Sequence, residues 1–276
     1  MPPESMNDLF AYLTSLMTTH ASMFQAVGLN MFRGFAVILV VWFGIKSALS
    51  SASGGHHGFQ FDQFAELLIT IAFGYTMITY YSQPIPGFGV SFYHLIIDEG
   101  TNLANQLNNG IVTELYTRLN QLYFDIEQPG LSIAINVLEV IRYAITILAI
   151  VAAEAASFVI IAFGYVAAAI AVMLGPVFIP FFIVPKMEWL FWGWLKSLMQ
   201  YAFYPVVANA YIFVFGQMLI HFVDGVPPGY DSAKVALLFF PLLLMLIAFT
   251  YGIVMIPSLV SSLFSGRSGE FVAPKF

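Results

Sequence analysis

Residues 131–185 are an almost unbroken apolar run that ends in Leu174-Gly175-Pro176-Val177-Phe178-Ile179-Pro180. A transmembrane helix needs roughly 20 consecutive apolar residues. This run is longer than one crossing, and a Gly-Pro step lies near its end. One straight helix over it would measure roughly 80 Å at 1.5 Å per residue, more than any bilayer. Part of it must project beyond the membrane, or Gly175-Pro176 must turn it. A proline removes one helical hydrogen bond and crowds the preceding turn. In lipid that is tolerated only where protein or a wet cavity satisfies the freed backbone. The expectation is therefore a break at Gly175-Pro176, buried in a bundle or facing a pore.

Composition agrees with a lipid solvent. The chain is 60% hydrophobic and 9% charged, against about 25% charged for a soluble domain. Its net charge of −6 argues against a surface that binds nucleic acid, which would need a basic stripe. With no cysteine, disulfides, thiolate metal sites and a thiol nucleophile are excluded. The start lacks a basic n-region, so no cleavable signal peptide is expected.

Helical spacing organises the rest. Residues 1–26 form an amphipathic helix with no Lys or Arg on its polar face. Residues 27–81 hold two crossings, about 27–48 and 61–81, joined by a Ser/Gly/His loop. Residues 82–130 are the one long polar region, with Leu103, Leu107, Ile111, Leu115 and Leu119 along one side of a helical pattern. Residues 131–256 form a membrane bundle containing the Ala-rich helix, and residues 257–276 are a tail. The fold class is all-α: a polytopic helical bundle of about five transmembrane helices with added amphipathic helices.

Basic residues choose the sidedness. If 131–185 is one crossing, Lys46, Lys186, Lys196, Arg267 and Lys275 fall on or near one side. The acidic 82–130 region and the Asp224/Asp231 turn then fall on the other. That gives five crossings, with the N-terminus outside and the C-terminus inside. Counting two crossings there gives six and weakens the bias, so five is preferred.

Few residues suggest chemistry. Glu139 and Arg142 are three apart and share a face; they form either an ordinary ion pair outside the bilayer or part of a polar pathway. Glu154 lies deeper, among alanines, where an ionisable group faces a bundle interior or water. Ala152–Ala156, Gly164, Ala167, Ala168, Ala169 and Ala171 form a small-residue packing face. Trp189, Trp192 and Trp194 with Lys186 and Lys196 suit an interfacial anchor. His56 and His57 sit in a glycine loop without a third ligand, and are expected to be loop residues. Asp62 and Glu66 suit the positive end of a helix. No nucleotide-binding, zinc-helix or nucleophile-elbow motif occurs. No catalytic residue, metal or cofactor is expected, and the chain is not expected to be an enzyme.

The string from Ala169 to Pro180, then Pro185-Lys186, then Trp192-Gly193-Trp194-Leu195-Lys196, resembles the signature region of the TrbL-type polytopic inner-membrane subunit of type IV secretion systems. That family includes the VirB-type channel component of conjugation and effector-export machines. The match is good over about 140–215 and agrees in layout only before that. The resemblance implies a multi-pass protein of the bacterial inner membrane, N-terminus periplasmic and C-terminus cytoplasmic. It implies secretion ATPases, a periplasmic minor-pilus or stalk protein and a bitopic scaffold as partners. Membrane lipid surrounds it, and nucleic acid enters only as transported substrate. It further implies a ring-shaped homo-oligomer, of which a pentamer is one form, that helps form the substrate passage or the pilus assembly platform. In that frame 82–130 is periplasmic, and Leu103, Leu107, Ile111, Leu115 and Leu119 meet a partner or another copy. Glu139, Arg142 and Glu154 are the intramembrane polar set. Gly175, Pro176, Trp192 and Trp194 set the bend and anchor the cytoplasmic interface. The competing reading is a secondary transporter or channel for a small solute. It requires an inverted repeat with matching broken helices, and the first half shows no counterpart to Gly175-Pro176.

Overall fold

The computed structural model describes residues 3–52, 61–107, 114, 117, 118, 137–225 and 232–265. Among them the fold is all helical: α1 (Pro3–Ala52), α2 (Phe61–Thr79), α3 (Phe92–Leu107), α4 (Val137–Phe178), a 3₁₀ turn η1 (Ile179–Ile183), α5 (Glu188–Asp224), α6 (Ser232–Val254) and α7 (Ile256–Ser265).

Two expectations change here. Residues 1–26 are not a helix separate from the first crossing, because α1 runs unbroken from Pro3 to Ala52. No proline interrupts it, and Gly28 alone costs a helix only about 1 kcal/mol. The chain also does not break at Gly175-Pro176. Helix α4 continues through Pro176 to Phe178 and tightens into η1. The reversal falls at 184–187, where Met187 N–H donates to Val184 at 2.8 Å. Residues 53–60, including His56 and His57, lie outside the described residues.

Three described helical segments are long and apolar enough to cross a membrane: Met23–Ser50, Ala144–Ile183 and Glu188–Asp224. A fourth arises if Leu238–Val254 and Ile256–Phe264, bent by 43°, form one broken span. Helix α2, the expected second crossing, is outside this set. Its 19 residues include Asp62 and Glu66, which leave a short apolar run.

The chain forms two compact units. Unit 1 comprises Met1–Glu99 and Tyr165–Ala202. Its core joins Phe32 of α1, Met77 and Ile78 of α2, Val172 of α4, Ile179 and Ile183 of η1, and Phe191, Trp194 and Leu198 of α5. Gly74 leaves room for the Phe32 ring, which would stand 2.7 Å from an added Cβ. Gln25 of α1 caps the end of α2, its Nε2 donating to the carbonyls of Ile78 at 2.8 Å and Thr79 at 3.1 Å. These are carbonyls that a helix end leaves without internal donors. Ser82 donates in turn to Gln25 Oε1 at 2.8 Å. The α2–α3 connection turns through Gly87 and Gly89, both at positive φ, a conformation glycine adopts without steric cost.

Unit 2 comprises Gly100–Gly164 and Phe203–Phe276. Gly164 of α4 packs on Tyr204 and Pro205 of α5; an added Cβ there would lie 2.6 Å from Tyr204 Cβ. Tyr211 stacks between Phe215 and Phe249, with centroids 5.5 and 5.7 Å away. Phe203 meets Phe264 of α7 edge-on at 5.6 Å. Arg118 pairs with Asp224 at 3.5 Å and with Glu114 at 3.8 Å.

Candidate functional site

Proline chemistry builds the most constrained place in unit 1. Pro176 has no N–H, so the Val172 carbonyl, four residues earlier, loses its helical donor. In an apolar setting an unmet carbonyl costs about 1–3 kcal/mol. Tyr81, just beyond α2, supplies the replacement, its hydroxyl donating to Val172 O at 2.5 Å. Trp194 of α5 donates Nε1 to Ala171 O at 2.7 Å. Both side chains are buried, Tyr81 completely. Two donors from two other elements thus hold the helix together across its proline. This is the compensation that lets proline persist in membrane helices, and it explains why α4 does not break where expected.

Glycine makes the approach possible. A Cβ on Gly175 would run into the Tyr81 hydroxyl and the Trp194 ring. On the opposite side, the Pro176 carbonyl lies where a Gly28 side chain would be. That carbonyl also lacks a helical donor, because the residue four further on is Pro180. It is turned instead onto the bare backbone of α1. The aromatic packing continues outward from Tyr81 to Tyr93 at 5.6 Å and from Trp194 to Phe191 at 5.8 Å. Five elements of unit 1 converge on the joint: α1, α4 and α5, the chain just after α2, and Tyr93 of α3.

Gly175, Pro176 and Trp194 are therefore brought together and buried. Trp192 is separate. It is half exposed, and its Nε1 donates to Glu188 Oε1 at 2.6 Å. By sequence, Tyr81 stands only among the interfacial aromatics at the end of the second crossing, and nothing singles out Gly28 or Gln25; the structure instead buries Tyr81 completely. Pro176 in an apolar helix announces the need for a donor, but nothing local says which distant hydroxyl meets it.

The other expected residues remain scattered. Glu154 is exposed on α4, on a stripe with Val151 and Phe158. Arg142 is half-buried; the Glu139 side chain lies outside the described residues, as do the expected contact side chains of Leu107, Ile111, Leu115 and Leu119. Leu103 is exposed on α3. Asp62 stands in the first turn of α2. Within the small-residue face, Ala153, Gly164, Ala168, Ala169 and Ala171 are buried, while Ala152 and Ala155 are exposed.

Unit 2 contains a looser relative of the joint. The Tyr211 hydroxyl occupies the place of a Gly252 side chain and reaches the carbonyls of Ala248 at 3.5 Å and Phe249 at 3.3 Å. In both joints the tyrosine bonds the carbonyl three residues before its glycine.

These joints are structural: hydroxyl and indole donors are committed to helix carbonyls. No curated protein matches the chain. A family model described as TrbL/VirB6 plasmid conjugal transfer protein matches residues 36–256, a stretch that contains Tyr81, Gly175, Pro176, Trp194, Tyr211 and Gly252, and the chain belongs to that family, as a component of a conjugal transfer, type IV secretion, system.

Proposed function

We propose that this chain is the polytopic inner-membrane subunit that helps form the substrate passage, the pilus assembly platform, or both. The single observation that carries this reading is the family match across 36–256, which covers the long apolar helices and the Gly175-Pro176 joint. The N-terminus is periplasmic and the C-terminus cytoplasmic, which takes α2 as a short crossing beside the three long spans and the bent pair. Supporting one crossing over 131–185, Arg118 of the central region pairs with Asp224 at the end of α5 at 3.5 Å. Two crossings between them put both residues on one side; counting 131–185 as two crossings would put them on opposite sides. The central region, with Leu103, Leu107, Ile111, Leu115 and Leu119, meets the periplasmic stalk protein or a second copy. The bitopic scaffold and the secretion ATPases complete the assembly, in which this subunit forms a ring.

Deletion of the gene should abolish conjugal transfer from its host, and the intact gene should restore it. The double substitution Leu107→Asp and Leu115→Asp should leave membrane insertion intact and remove co-purification of the stalk protein. Unchanged transfer after deletion defeats the proposal; unchanged co-purification defeats the contact surface alone.

A further inference from the structure

Beside the proline joint, between α4 and α5 within unit 1, lies an open apolar groove of about 360 Å³. Ala167 and Ala171 line it from α4, and Gly193 from α5; Phe178 and Trp189 stand at one end, Tyr201 towards the other. From Ala167 to Phe178 it follows α4 for about 16 Å at 1.5 Å per residue. A groove of that length with an apolar lining offers one extended acyl chain a continuous floor.

Charge identifies the rest of the occupant. Between residues 155 and 223 the sequence has two lysines, Lys186 and Lys196, and one carboxylate, Glu188. Both lysines are exposed, and Glu188 accepts the Trp192 indole hydrogen bond. Lys186 lies in the turn that joins η1 to α5, beside the Phe178 and Trp189 end. Trp189 and Trp192 are 68% and 50% exposed there, and half-apolar rings of this kind settle at headgroup depth. The groove thus begins where headgroups lie and runs into hydrocarbon, with a cationic mouth and an apolar floor.

We propose that this groove is a binding site for one anionic phospholipid. An acyl chain lies along Ala171 and Gly193, and the headgroup phosphate meets Lys186 and Lys196. The site requires only that the chain be embedded in lipid and is independent of its role in secretion.

The test uses the full-length protein in mild detergent, offered phosphatidylglycerol and phosphatidylcholine of the same acyl composition. Retained lipid is counted by native mass spectrometry. One phosphatidylglycerol should be kept in about tenfold preference, equivalent to about 1.4 kcal/mol. Gly193→Phe should abolish that retention. No atom lies within 4 Å of a Cβ added there, so the ring can enter the groove. Ala167→Phe, from the opposite wall, should do the same. Gly44→Phe on α1, a position equally open to a Cβ, should change nothing. Lys186→Gln with Lys196→Gln should bring the two lipids to equal retention. Retention unaffected by both groove substitutions overturns the site, as does equal loss in Gly44→Phe. Because the chain has no native cysteine, Gly193→Cys gives a clean further outcome: disulfide-linked dimers in membranes would mean that a second copy covers the groove, and would also overturn it.

Discussion

Two tyrosines sit on two glycines in this protein, and the helices beneath them behave differently. In unit 1 the Tyr81 hydroxyl bonds Val172 O at 2.5 Å, Trp194 bonds the neighbouring carbonyl, and α4 passes through Pro176 without ending. In unit 2 the half-buried Tyr211 reaches Ala248 and Phe249 at 3.5 and 3.3 Å, and the helix bends by 43° between α6 and α7. There Pro257 removes the helical donor for Ile253 O, while the tyrosine bonds carbonyls one turn earlier. A proline in an apolar helix thus leaves a choice. Where buried side chains supply the missing donor at the right carbonyl, the helix continues. At Pro257 the helix bends instead, although α5 and α6 run on through Pro205 and Pro241.

The largest way to break the comparison is to fill the glycines. Gly175→Ala should destabilise by about 3 kcal/mol, the upper range for overpacking. Its Cβ meets two buried ring systems that have no room to withdraw. Gly252→Ala should cost only about 1 kcal/mol, because half-buried Tyr211 can swing outward. Thermal unfolding in detergent checks both, and equal losses would remove the distinction between the joints.

A finer cut removes single donors. Tyr81→Phe should cost about 1–3 kcal/mol, the penalty for a buried unmet carbonyl. Tyr211→Phe, losing only long bonds, should cost under about 1 kcal/mol. Pro176→Ala restores a backbone N–H to Val172 O. In that background Tyr81→Phe should cost at least about 1 kcal/mol less, a coupling that a double-mutant cycle reads directly. A full penalty in both backgrounds would mean that Tyr81 acts through packing alone.

The smallest effect is expected at the ion pair. Arg118 and Asp224 are nearly half exposed, so Arg118→Ala should change stability by roughly 0.5 kcal/mol. The more informative measurement is sidedness. Single cysteines at 118 and 224 should both be labelled by a membrane-impermeant reagent from the same face. Labelling from opposite faces would remove the support for counting 131–185 as one crossing.

The all-helical, membrane-spanning class follows from residues that act locally. Runs such as 144–183, with Glu154 as their one charge, are apolar on nearly every face and far longer than one bilayer crossing needs. The family was legible for a similar reason: the Gly-Pro step and the Trp-Gly-Trp return are contiguous in sequence. The extent of α1 was less legible. Its amphipathic start and apolar continuation suggest a boundary, yet a change of polarity is no helix stop when neither proline nor a cap is present. Helix α2 has the opposite problem: its apolar pattern is clear, but two carboxylates shorten the run that lipid would accept.

Sequence alone determined that Pro176 would orphan a carbonyl, because the missing N–H is a covalent fact. It could not determine whether α4 would break there. That depended on a tyrosine 95 positions earlier and a tryptophan 18 positions later arriving at two adjacent carbonyls, over a glycine that leaves them room. Only the packing of α1, α4 and α5 around the chain that follows α2 brings those groups together. A hydrogen bond is a short-range interaction, and residues distant along the chain can form it only after the tertiary fold has closed the gap.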